Sequence, residues 1–127
     1  MQVIDYFSEI QSLIKSSIFV EIADVEYEVK SRGLGIVHGM IGMVDGSALQ
    51  FMELVNTRRD KMIRLKYRFH FMNTNGEMVF RYDNAPHHPE IATQPHHKYI
   101  NGKKLPGLSK EVGLKDVLLE IEKMISG

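Results

Sequence analysis

Four of the six histidines in this chain form two adjacent pairs, His87-His88 and His96-His97, inside the run from Arg81 to Tyr99. Three of the four prolines lie in the same run. Proline fixes its own φ and pushes the residue before it out of the helical region, so the imidazoles ride on a stiff, mostly extended connection. Imidazoles titrate near neutrality and pass protons in either direction. Guanidinium groups neutralise the non-bridging oxygens of a phosphodiester as charge develops on them. Together they could move a proton off a 2′-hydroxyl and onto a leaving 5′-oxygen. The candidate catalytic groups are His88, His97 and Lys98 from this run with Arg81 and, from an upstream strand, Arg68. Lys66, Asp83, Tyr99 and Glu53 are candidates for substrate contact, and Glu53 and Glu90 are candidate bases.

A metal site is the sharper rival, because Asp83, His88, Glu90 and His97 would offer mixed nitrogen and oxygen ligation. Against it, adjacent histidines on extended backbone point to opposite sides, so each pair gives one ligand to a given site. No His-Glu-x-x-His pattern is present. No cofactor or metal is expected on this reading. Plainer readings stand beside the chemical ones. His38 and His70 lie within strands and read as packed or solvated, and a charged strand face is what any one-sided sheet shows.

These residues need a scaffold. A chain of 127 residues, 43% hydrophobic and 25% charged, is long enough for a single domain (1–127) with one core. With no cysteine, thiolate metal sites and thiol nucleophiles are excluded. Apolar runs are short and broken by charge, and no signal-peptide pattern opens the chain, so a cytoplasmic protein with no membrane contact is expected. Net charge is zero, but residues 58–104 hold ten Lys/Arg against four Asp/Glu. That asymmetry points to an anionic partner for the middle of the chain, and the zero sum argues against indiscriminate duplex binding.

Val3, Phe7, Ile10 and Ile14 recur at helical spacing from Gln2 to Lys15. Phe19 to Lys30 reads as a strand, with a parity break that places a bulge near Ala23-Asp24. Leu34 to Val44 and Ala48 to Val55 are joined by the Asp45-Gly46 hairpin signal, and Asn56 to Lys61 reads as a polar connection. In Met62 to Met72, Ile63, Leu65, Tyr67, Phe69 and Phe71 alternate with Arg64, Lys66, Arg68 and His70. An Asn-Gly hairpin leads into Glu77–Asp83, in one of two registers: Phe69 opposite Phe80 and Arg68 opposite Arg81, or Phe71 opposite Phe80 and Arg68 opposite Asp83. Leu114, Val117, Leu118, Ile121 and Ile125 form a closing helical stripe. The expectation is an α+β fold: an antiparallel meander of about five strands, with an N-terminal and a C-terminal helix packed on one face.

The segments Tyr67-Arg68-Phe69-His70, Arg81-Tyr82-Asp83-Asn84-Ala85-Pro86-His87-His88-Pro89 and Pro95-His96-His97-Lys98 resemble the TumE-like toxin family of toxin–antitoxin modules. The likeness extends to Asp45-Gly46-Ser47 and Leu49 through Glu53. Gln94 and Tyr99 stand where the family pattern has an aromatic and a further histidine. The resemblance implies a small type II toxin whose partner is a helix-turn-helix antitoxin. Joined to the chemistry above, it suggests a metal-independent ribonuclease acting on RNA. The alternatives are a non-enzymatic protein- or nucleotide-binding module and a metal-dependent hydrolase. The oligomeric state is left open.

Overall fold

The computed structural model describes residues 2–58, 61–85, 96–103 and 107–127. Within them, a helix, seven strands and a second helix follow in order: α1 (Val3–Ser16), β1 (Val20–Ser31), β2 (Leu34–Met43), β3 (Ala48–Arg58), β4 (Lys61–Met72), β5 (Met78–Asp83), β6 (His97–Ile100), β7 (Gly107–Leu108) and α2 (Leu114–Ser126). The strands form one antiparallel sheet whose spatial order equals their chain order. The expected α+β meander with a helix at each end is what the structure shows. It has more strands than the expected five because the chain returns after the histidine segment to pair as β6 and the two-residue β7.

Both helices lie on one face of the sheet and close a single core. Val3, Phe7, Ile10 and Ile14 of α1 and Leu114, Val117, Leu118 and Ile121 of α2 meet Val37, Leu49, Phe51, Phe69, Phe71 and Phe80 from the strands. Each helix begins with the same device. The carboxylate of Asp5 accepts the Gln2 N–H at 2.9 Å, and that of Asp116 accepts the Gly113 N–H at 2.9 Å, so an N-terminal donor is satisfied and a negative charge sits at the positive end of the dipole. Ser17 Oγ donates to Glu122 at 2.7 Å and ties the end of α1 to α2.

The turns follow their sequence signals. Met43 N–H donates to Ser47 O at 2.8 Å around Val44-Asp45-Gly46, with Gly46 at φ 88°. At the β4–β5 hairpin, Asn73 N–H donates to Glu77 O at 2.9 Å around Thr74-Asn75-Gly76. An extra residue, Val79, then shifts the ladder, so Phe71 faces Phe80 and Arg68 faces Asp83. A three-residue loop plus a bulge thus reaches the second of the two expected registers.

Two expectations need correction. Asn56–Lys61 is no loose connection, because the β3–β4 ladder continues through Thr57↔Met62 to Arg58↔Lys61. The break in β1 lies at Glu21 rather than at Ala23-Asp24: Val20 pairs Met43 while Ile22 pairs Gly42. The extra residue turns Val20 to the same face as Val25 and Tyr27 and sends Ile22 outward.

Gly35 decides how closely α1 approaches. A Cβ there would run into Val3 Cγ1 and lie 2.9 Å from Phe7 Cζ. We expect Gly35→Ala to destabilise the protein by about 1–3 kcal/mol, the usual cost of overpacking, read as a lower urea midpoint at unchanged slope.

Candidate functional site

One residue in β4 determines which side chains reach the site. Leu54 pairs with Lys66 and Val55 with Arg64, so Leu65 is an extra residue in its strand. Asn84, just past the end of β5, holds this bulge: its Oδ1 accepts the Tyr67 N–H at 2.9 Å and its Nδ2 donates to Leu65 O at 3.3 Å. Beyond the bulge the alternation inverts. Ile63 and Leu65, expected inside with Tyr67 and Phe69, are 50% and 49% exposed. Arg64, expected on the polar face, is turned into the core.

A buried guanidinium needs partners, and Arg64 has them. Nη1 lies 3.3 Å from Glu53 Oε1, Nη2 lies 2.7 Å from Glu111 Oε2, and the group sits 4.6 Å from the centre of the Tyr67 ring. Tyr6 of α1 donates its O–H to Glu53 Oε1 at 2.6 Å. Glu53, proposed from sequence as a substrate contact, is therefore fully buried under α1, on the opposite side of the sheet from Arg68. Burial pushes its carboxyl upward, against the lowering effects of the Tyr6 hydrogen bond and the Arg64 charge. Burial and then the neighbouring Glu53 push the Tyr6 phenol up as well.

The other face of the sheet gathers most of the remaining candidates. Asp83 is the centre. Its Oδ1 lies 2.5 Å from His97 Nε2 and accepts the Ala85 N–H at 3.1 Å, while its Oδ2 lies 3.2 Å from Arg81 Nε. Across the ladder Asp83 sits between Arg68 on β4 and His97 on β6, and Arg81 sits between His70 and Tyr99. The His97 and Tyr99 rings meet edge to face at 5.3 Å. Asp83 and His97 are buried, while Arg68, His70, Arg81 and Tyr99 are partly accessible and Lys66 is exposed.

Lys98 does not join this group. As the neighbour of His97 on a strand, it points through the sheet to the helix side. There Nζ lies 2.8 Å from Glu120 Oε2 of α2 and 4.7 Å from the centre of the Tyr82 ring, whose O–H donates to Glu120 Oε1 at 2.6 Å. Burial disfavours its ammonium, but hydrogen bonds to Glu120 and Tyr82 outweigh that and hold its pKa above the ordinary lysine value. Of the pair His96-His97, only His97 faces the charged side. His96 Nδ1 lies 2.9 Å from the Tyr67 hydroxyl, whose pKa is raised to about 12, chiefly by burial. His87, His88 and Glu90 lie outside the described residues.

His70, set aside as packed or solvated in the sequence, belongs to the site by position. It is directly opposite Arg81 and two residues from Arg68 on the same face. Burial first, then the charges of Arg81 and Arg68, hold its pKa below 6.5. Its Nδ1 is buried with no hydrogen-bond partner among the described residues. The available signal was its place on the basic strand face; what made it significant was a register that two readings of the hairpin left open. Among the described residues no group of three or more His, Cys, Asp or Glu side chains could hold a metal ion. The family model described as Toxin TumE matches residues 10–125. Searches of curated proteins and of solved structures each returned no match.

Two measurements check this electrostatic description. Because folding raises the Glu53 pKa, its contribution is fully present below the unfolded value and is lost as pH rises through the folded one. Wild type should therefore lose stability relative to Glu53→Gln as pH rises from 4 to 7, in urea melts. His70 should titrate below 6.5 by NMR, and Arg81→Gln should move its midpoint upward.

Proposed function

This chain belongs to the TumE toxin family, and from that we propose a toxin that cleaves RNA without a metal at the outer face of β4, β5 and β6. Family membership implies an antitoxin partner. We take the pair to be of type II, with a helix-turn-helix antitoxin, and the site of action to be the cytoplasm, where RNA is met. No described helix is long and apolar enough to cross a membrane.

The observation that carries the reading is an imidazole with a depressed pKa between two arginines on an accessible face. Arg68 and Arg81 provide the positive charge that a phosphodiester needs as its oxygens gain charge. Burial, and then their charge, favours the neutral form of His70, the form required of a base. His70 takes the 2′-hydroxyl proton, the 2′-oxygen bonds to phosphorus, and the bond to the 5′-oxygen breaks. That oxygen takes up a proton, leaving a 2′,3′-cyclic phosphate and a 5′-hydroxyl end. Tyr99, across the ladder from Arg81, and His88 are the proposed acids for that last transfer, and Lys66 extends the anionic contact along β4.

The buried Asp83 and His97 act as positioning residues. Asp83 fixes the Arg81 side chain at Nε, and His97 holds Asp83 from the far side. A carboxylate that accepts several hydrogen bonds is a rigid anchor, and rigidity keeps a guanidinium aimed without cost at the moment of reaction. Lys98 contributes at a distance, tying β6 to α2.

Purified protein incubated with RNA in the presence of a chelator should give products ending in 2′,3′-cyclic phosphate. His70→Ala should lower the cleavage rate by about 10²–10⁴-fold and Arg81→Ala by about 10²–10³-fold. Growth inhibition by a protein that leaves RNA intact would refute the ribonuclease reading and favour a binding module.

A further inference from the structure

The outer face of the sheet carries a charge pattern that extends well beyond the proposed site. Read across the strands by register, one row runs Glu26, His38, Met52, Arg68 from β1 to β4. The next runs Glu28, Ile36, Leu54, Lys66. On the other side, the row from Asp24 through Met40 and Gln50 ends at His70. Two of these rows run from a glutamate on β1 to a lysine or arginine on β4, and the third runs from Asp24 to His70. Between them, beside the polar His38 and Gln50, lies a band of apolar side chains. Ile36, Met52 and Leu54 are partly exposed, and Ile63 and Leu65, turned outward by the bulge, enlarge it. A shallow groove joins the two charged borders, from Asp24 and Glu26 to Arg68. Contiguous exposed apolar surface rimmed by charge is the usual mark of an interaction face.

The order, acid on β1 and base on β4, is complementary to itself. We propose that two copies of this chain associate face to face through this surface, about a two-fold axis running along the strands between β2 and β3. That operation lays each row over the same row of its partner in reverse. Glu28 then meets Lys66 of the partner subunit and Glu26 meets Arg68 of the partner subunit, each contact occurring twice, as an isologous interface requires. The apolar bands of the two copies meet at the centre. A two-fold axis running across the strands is excluded by charge, because it would lay acidic β1 over acidic β1. Like charges brought together in a desolvated interface are strongly unfavourable, so the charge pattern selects both the partner and its orientation.

Such a dimer has a regulatory consequence. Arg68 and His70 lie inside the interface, so self-association and any anionic ligand at these residues exclude each other. Raising protein concentration would store the chain with its basic face covered. The interface itself rests on register and charge alone, and holds whether or not RNA is the ligand.

Sedimentation velocity over a concentration series tests the proposal. Wild type should dimerise at low salt, and the dimer should weaken as salt rises. Glu28→Lys and Lys66→Glu should each raise the dimer dissociation constant by about tenfold or more, and the double variant, with the charges exchanged, should return it to near wild type. Restoration in the double variant rules out misfolding as the cause of either loss. A wild type that stays monomeric overturns the proposal, as does a dimer indifferent to both reversals. A monomer whose antitoxin binding falls on Lys66→Glu would assign this face to the antitoxin instead, and would equally overturn it.

Discussion

The Leu65 bulge and the Asn84 amide that holds it set the character of both faces of the sheet. Without the extra residue, strict alternation would put Ile63 and Leu65 inside and Arg64 outside. With it, Arg64 enters the core as partner to Glu53, and two large apolar side chains are turned to the surface. Asn84 makes this possible because its amide supplies both an acceptor for Tyr67 N–H and a donor for Leu65 O, where β4 runs on past the end of β5. A backbone polar group left without a partner there would cost about as much as a lost hydrogen bond.

The sequence Arg81-Tyr82-Asp83-Asn84 then reads as four structural roles in alternation. Arg81 and Asp83 face outward and are bonded to each other. Tyr82 faces inward and reaches α2 through Glu120, and Asn84 closes the bulge. The next strand repeats the alternation, with His97 bonded outward to Asp83 and Lys98 inward to Glu120. Each strand thus links the outer face of the sheet to the helix layer. The buried Tyr6, Glu53 and Arg64 serve a different end, fixing α1 and β4 to one another at the far side of the core.

Much of the architecture was legible in the chain. The helical stripes of α1 and α2, the turns at Asp45-Gly46 and Asn75-Gly76 and the aromatic face of β4 from Tyr67 onward all follow from periodicity and turn chemistry, which are local. Glu53 was visible as an anomaly, a carboxylate on an apolar face, but its partners Tyr6 and Arg64 lie 47 and 11 residues away in the chain. The separation of His97 from Lys98 follows from strand alternation, once the segment is known to be a strand. His70 was legible as a residue of the basic face, but the burial that chiefly lowers its pKa, and the charge of Arg81 across the ladder that adds to it, come from the folded sheet.

By itself, then, the sequence determined the two helices, the course of β1 to β5, the α+β meander and the polar face holding Arg68, Arg81 and Asp83, because propensity, period and turn type act over a few residues. It also carried the family likeness that the matched residues 10–125 establish. Tertiary structure alone decided the positions of the single-residue bulges at Glu21, Lys30, Leu65 and Val79. It likewise decided which of Arg64 and Leu65 is buried. The physical reason is that a bulge is paid for by distant partners: Leu65 is held by an amide just past the end of β5, and the Arg64 charge by carboxylates on β3 and ahead of α2. No local pattern encodes those distances.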